Sequence, residues 1–334
     1  MLFLVLSAEY AKINKAHDRG LLMEQKVLMP GEVAGNYDEK WTKTFDLQFL
    51  ILWLVLFVLL LIWTIVADPH LFEARRFFMM TGVKLFVMMM LALGGGLLCR
   101  HYCHVDAKGY IMTSKNGWFK VNYTRKIQHF AAYLVPLLSP PTEPLGILPH
   151  LWESLFVLLM FLILIKPIRE RSTFFMLQFN SLDRVEDRPN TLKWIVLGNM
   201  LPGLLIITIF KQVFETYLGL PLLAAVVVFT VAIGDGLAEP VGTYLGKKKY
   251  VVPSWNMKNR YVRSYAGSAC VYICALLFLV LYRGQFASPQ EFWTAVVVFP
   301  PVMTFAEAFS PHSMDTPIMM LVGFSLLFGI CAVL

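Results

Sequence analysis

Charge is scarce in this chain. Only 15% of its 334 residues are Asp, Glu, Lys or Arg, against 57% hydrophobic residues and a mean hydropathy of +0.62. A soluble core needs no such apolar length, so a soluble globular domain is excluded. Segments of about ten residues with alternating polarity are also missing, which excludes a membrane β-barrel, and open sheet edges cannot lie in lipid. The five cysteines, Cys99, Cys103, Cys270, Cys274 and Cys331, all fall in or beside apolar runs and offer no disulfide framework. The run Cys99-Arg100-His101-Tyr102-Cys103-His104 has one residue too many for a haem-attachment motif, and ordinary helix-end residues at an interface account for it. No internal repeat and no low-complexity tract occurs. A P-loop is absent too: Gly242-Thr243-Tyr244-Leu245-Gly246-Lys247-Lys248 has three residues between its glycines where that loop has four, and no Ser or Thr follows.

Long apolar runs are what the chain does have. They fall at residues 47 to 67, 77 to 98, 128 to 138, 147 to 165, 194 to 212, 218 to 233, 265 to 282, 292 to 309 and 317 to 334. The expected fold is all-α, a polytopic transmembrane helical bundle of eight or nine spans, the run at 128 to 138 being short for a crossing. Residues 1 to 46 form a polar N-terminal arm ahead of a bundle at 47 to 334. The apolar start of the arm is too short for a signal anchor, and no small-residue cleavage pattern follows it. An arm with so little core of its own must lie on the bundle or be held by a protein partner.

The net charge of +7 suggests nucleic acid until the basic residues are placed. Six Lys and Arg lie in each of residues 1 to 46, 99 to 126, 166 to 193 and 247 to 263, which is 24 of the 29. With nine spans these segments share one side, so the N-terminus sits on the positive side and the C-terminus opposite. Membrane topology explains the charge, and no nucleic-acid partner is needed. The unusual polar residues share that side: Arg125-Lys126 with His129, the segment Asp183 to Arg188, Gly234 to Gly246, Arg263-Ser264 with Gly267-Ser268, and Glu307 with Ser310 to Pro317. Five such loops or helix ends are expected to converge on one face. The most informative is Gly234-Asp235-Gly236-Leu237-Ala238-Glu239, where an apolar run breaks off. Glycine lets the backbone approach an anion, the carboxylates Asp235 and Glu239 suit a divalent cation, and Lys247 and Lys248 neutralise what remains. The plainer alternative is a glycine-capped helix end followed by positive-inside lysines.

In order and spacing, the motifs between residues 125 and 317 resemble the CTP-dependent lipid-alcohol kinases, the family of phytol, farnesol and dolichol kinases. The residues that carry the likeness are Arg125, Lys126 and His129; Arg184, Asp187 and Arg188; Gly234, Asp235, Gly236, Ala238 and Gly242; Ser264, Gly267 and Ser268; and Glu307, Asp315 and Pro317. The resemblance implies phosphoryl transfer from CTP, with Mg²⁺, to a membrane-dissolved isoprenoid alcohol, a reaction in which the protein mainly positions and neutralises. It implies that Asp235 and Glu239 hold the metal and that Asp235, with Asp315 or His129 at the hydroxyl, is catalytic. Arg125, Lys126, Arg188, Gly234, Gly236, Lys247, Lys248, Arg263 and Ser264 would hold the nucleotide. Such a protein belongs in an organellar membrane, mitochondrial inner or plastid, or in the endoplasmic reticulum.

Four positions depart from the family pattern. Glu239 stands for its second Asp, Thr243 for a basic residue, Arg263 for Lys and Thr316 for Asn. Arg can still hold a phosphate, with different geometry. Thr243, Thr316 and the N-terminal arm motivate a second reading, an inactive homologue serving as a structural subunit of a respiratory or photosynthetic membrane complex. Phosphatidate cytidylyltransferases share the Gly-Asp-Gly and Arg-Ser features but end in a His-Gly-Gly and Asp-Arg turn that is missing here. A transporter would carry its charges at the bilayer midplane, whereas these lie at helix ends.

Overall fold

The computed structural model describes residues 39–116, 119–138, 146–184, 187–253, 260–311 and 314–334. Residues 1–38 of the expected arm lie outside them, and by Glu39 the chain is already helical. The protein is 80% helical, and among the described residues six helices are long and apolar enough to cross a membrane. Whole helix faces of Leu, Ile, Val, Phe and Trp are exposed, which lipid tolerates and water does not. The chain folds as two compact units that divide after Ala224.

In the first unit, α1 (Glu39–Ala67) contains neither Gly nor Pro and stops where Pro69 removes a donor. Its exposed face carries Leu54, Val58, Ile62 and Ile65. The next helix, α2 (Arg75–Tyr102), leads into a hairpin, β1 (Cys103–Val105) with β2 (Ile111–Ser114). Then come α3 (Val121–Leu134) with a 3₁₀ turn at Val135–Leu138, α4 (Ile147–Leu162), α5 (Thr173–Asn180) and α6 (Thr191–Leu218). A Cβ on Gly96 would lie 1.8 Å from the Leu177 carbonyl oxygen, so glycine alone lets the backbones of α2 and α5 meet. Helix α6 passes through a π-turn at Val196–Met200 immediately before Pro202, whose missing N–H would break a regular ladder.

Two contacts fix the ends of α2 against its neighbours. Near its C-terminus Cys99 Sγ lies 3.3 Å from Thr124 Oγ1 on α3, and nearer its start Lys84 Nζ lies 2.5 Å from Glu153 Oε1 on α4. The backbone N–H of Lys166, just past α4, donates to Asp46 near the start of α1, 2.9 Å away. Between these contacts the described residues form a 14-residue helix, Val121–Leu134, and a 3₁₀ turn, Val135–Leu138, which differs from the single apolar run expected at 128 to 138. The helix begins seven residues earlier because Thr124 has buried partners, bonding the carbonyls of Val121 and Ser181 at 2.8 and 2.9 Å.

The second unit holds the remainder of α7 (Pro221–Tyr244), the hairpin β3 (Lys249–Pro253) with β4 (Arg260–Ser264), and α8 (Tyr265–Leu281), α9 (Pro289–Phe309) and α10 (Asp315–Val333). Its core is fully buried: Val226, Val231, Val271, Leu279, Phe299, Met319 and Leu327 among others. Reciprocal caps start α9, Ser288 Oγ accepting from Glu291 N–H and Glu291 Oε2 from Ala287 N–H, both at 3.1 Å. The Gly-Asp-Gly motif does not end a helix, contrary to the reading of a break in the apolar run. Residues Thr230–Asp235 form a π-turn inside α7, and helix resumes at Gly236 and runs to Leu245. A π-turn keeps the backbone hydrogen-bonded through two glycines, so the junction that composition suggests never opens into a loop.

Candidate functional site

The expected site residues fall into two clusters, one in each unit. In the first unit Asp183 is completely buried and accepts from Arg188 Nε at 2.8 Å and from Thr191 Oγ1 at 2.8 Å, with Arg188 Nη2 at 2.6 Å. Asp187 takes Arg184 Nε at 2.9 Å together with a close contact from Arg125 Nη1. The Arg188 guanidinium also lies over the Tyr110 ring, 5.9 Å from its centre. Burial pushes the Tyr110 phenol above its ordinary pKa, and its hydroxyl donates to Glu170 Oε1 at 2.9 Å while accepting from Arg169 Nε at 3.2 Å. Arg125 and Arg188, expected to hold phosphates, are thus engaged with carboxylates. Lys126 and His129 are half-buried on the same helix as Arg125, the His129 ring 5.1 Å from that of Tyr133.

In the second unit the charges gather around Arg263. Its Nη1 lies 3.2 Å from Glu307 Oε1, and Nη2 donates to the Glu307 carbonyl at 3.3 Å. Burial pulls the guanidinium pKa down, but Glu307, Asp315, Asp235 and Tyr250 outweigh that pull and hold it above the ordinary arginine value. Asp235 and Glu307 are each 4% exposed. Three carboxylates, Glu307, Asp315 and Asp235, act on this one guanidinium. Such a set suits a hard cation with oxygen ligands, although among the described residues no three His, Cys, Asp or Glu already stand in a metal-ligating group. Beside Asp315, the Thr316 hydroxyl is 3% exposed and has no hydrogen-bond partner among the described residues. A buried orphan hydroxyl marks a place where water or a ligand atom completes the bonding.

No family model, curated protein or solved structure matches this chain.

The other expected residues have local roles. Ser264 caps α8, its Oγ accepting from Gly267 N–H at 3.1 Å. A Cβ on Gly242 would meet that oxygen at 2.4 Å, so glycine there lets α7 approach the cap. Gly234 packs on α8, where an added Cβ would sit 3.4 Å from Cys274 Cβ, and Gly236 N–H donates to Ile233. Glu239 lies one turn beyond Asp235 on α7 and is half-buried. Lys247 and Lys248 are exposed. Sequence reasoning missed Tyr250, whose hydroxyl lies 2.5 Å from Ser268 Oγ and whose pKa is raised, chiefly by burial. Only its pairing with Arg263 across the β3–β4 hairpin brings it to the cluster, and that pairing leaves no local motif.

Proposed function

We propose that the protein transfers a phosphoryl group from CTP to a membrane-dissolved long-chain isoprenoid alcohol of the phytol, farnesol or dolichol type. The observation that supports this most is the electrostatic gathering of the buried Asp235 and Glu307 and the half-buried Asp315 around Arg263. Asp235, with Glu307 or Glu239, offers oxygen donors for Mg²⁺, which when bound would neutralise charge on the transferring phosphate. Arg263 is the cation placed to meet a phosphate oxygen, and Asp315 is the carboxylate left to orient or deprotonate the hydroxyl. The orphan hydroxyl of Thr316 supplies a donor at the same place. The chain is read as crossing the membrane nine times: α3 with its 3₁₀ turn and the shorter apolar helices Ile147–Leu162 and Tyr265–Leu281 join the six longer ones. Its N-terminus then lies on the positive side of an organellar or endoplasmic reticulum membrane.

A second reading is favoured by other observations. Ser264 serves as a cap, and Arg125 and Arg188 are engaged with Asp187 and Asp183. These suit a descendant that kept the fold as a structural subunit of a large membrane complex. Incubating purified protein with labelled CTP, Mg²⁺ and a panel of farnesol, geranylgeraniol, phytol and dolichol separates the two. Labelled phospholipid product supports the kinase. Absence of both product and CTP binding refutes it and leaves the structural reading.

A further inference from the structure

We propose that the corner formed by the last turn of α7 and the outer face of the β3–β4 hairpin is a headgroup-binding anchor for anionic phospholipid. The hairpin has two faces, since Tyr250 pairs with Arg263 and Val251 with Val262, and successive side chains alternate. The inner face carries Tyr250, bonded to Ser268, and the fully buried Val252. On the outer face Lys249 is exposed and Val262 is 62% exposed. Immediately before the hairpin, α7 ends on Tyr244 and Leu245, 92% and 63% exposed, and Lys247 and Lys248 follow, both exposed. None of these three lysines makes an ion pair among the described residues.

Bare apolar and tyrosyl side chains beside three bare ammonium groups are poorly served by water alone. A bilayer interface serves both, taking the apolar atoms among the upper acyl chains and the ammonium groups among phosphates. The place in the fold selects lipid over an acidic protein surface: the apolar stretch of α7 that can cross a membrane ends at Tyr244, so the corner lies where a span leaves hydrocarbon. Each lysine near an anionic surface adds about a fivefold preference, so three together favour an anionic over a neutral surface by roughly a hundredfold. This inference goes beyond phosphoryl transfer and does not depend on it. It assigns Lys247 and Lys248 to the membrane and leaves the nucleotide to Arg263.

The test is backbone hydrogen exchange of the full chain over residues 244 to 253, in nanodiscs of phosphatidylcholine alone and of phosphatidylcholine mixed with phosphatidylglycerol. Exchange is expected to slow several-fold in the mixed lipid, and the slowing should vanish at high salt and in K247Q/K248Q/K249Q. Exchange in α9 serves as the control that the variant is folded. Equal exchange in the two lipids, or slowing that survives the triple variant, would overturn the proposal. So would the same slowing in neutral nanodiscs on adding free glycerol phosphate, which would assign the lysines to a soluble anion. Protection that appears only when an acidic protein co-purifies would overturn it as well.

Discussion

Asp183→Asn is the substitution that best tests whether the arginines of the first unit hold structure or substrate. The native carboxylate is completely buried, with Arg188 Nε at 2.8 Å and Nη2 at 2.6 Å, and the Arg188 side chain is itself 1% exposed. The amide keeps the shape and one acceptor oxygen for Thr191, but it removes the negative charge that faces Arg188 Nε and Nη2. Breaking a buried pair from one side costs about 3–5 kcal/mol, about a fifth or more of the ~5–15 kcal/mol that stabilises a typical domain. Replacing both partners with apolar residues, as in Asp183→Leu with Arg188→Met, should recover most of that loss, because no lone charge is then buried. Urea or thermal unfolding in detergent, followed by circular dichroism, reads both effects. If Asp183→Asn costs less than about 1 kcal/mol, the Asp183–Arg188 pair does not hold the first unit together, and the assignment of Arg188 as a structural cation fails.

Asp235→Asn is expected to lower turnover of the proposed kinase by roughly a thousandfold or more while leaving the protein folded, as circular dichroism would read; wild-type activity would reduce Asp235 to a helix residue. If the site binds nucleotide, CTP with Mg²⁺ at about 100 times its dissociation constant should stabilise the wild-type protein by ~2.7 kcal/mol in a thermal shift. Absence of a shift in the wild type, with a gain in Thr316→Asn, would instead identify a degenerate site. Tyr250→Phe removes the bond to Ser268 and should cost about 1 kcal/mol of stability, read by denaturant unfolding; no loss would mean that Ser268 finds another partner. In Gly242→Ala the new methyl would fall 2.4 Å from Ser264 Oγ, so the α8 cap should open, with a cost of about 1–3 kcal/mol and faster amide exchange at Gly267.

Much of the fold is legible in the sequence, because α1, α2, α9 and α10 are each built around one long apolar run. The limits of reading show at Gly234-Asp235-Gly236. Two glycines and a carboxylate have the composition of a helix end, yet helix continues through them because a π-turn shifts the hydrogen-bond partners without releasing them. The run at 128 to 138 misleads for a related reason: hydropathy cannot foresee that the polar side chains of Thr124 and Arg125 are satisfied by residues about sixty positions away, at Ser181 and Asp187. Within the site, Asp235, Arg263, Glu307 and Asp315 stand out as charged groups at the ends of apolar runs. Tyr250 does not, since its place depends on the register of one hairpin.

The Lys84–Glu153 pair bears on how the chain enters its membrane. Lys84 is 5% exposed within one apolar helix and Glu153 sits within another, so each is a charge that hydrocarbon rejects until the other arrives. A lone lysine or acid at the centre of a helix costs about 2.5–3.5 kcal/mol during insertion. The two residues are separated by 69 positions, so α2 is synthesised well before its counter-charge exists. Helix α2 is therefore expected to insert less completely until residues 147 to 162 emerge and Glu153 can meet Lys84. Glycosylation mapping of nascent chains cut before and after Glu153 would see this as α2 passing from partial to complete insertion, and Lys84→Leu should remove the difference.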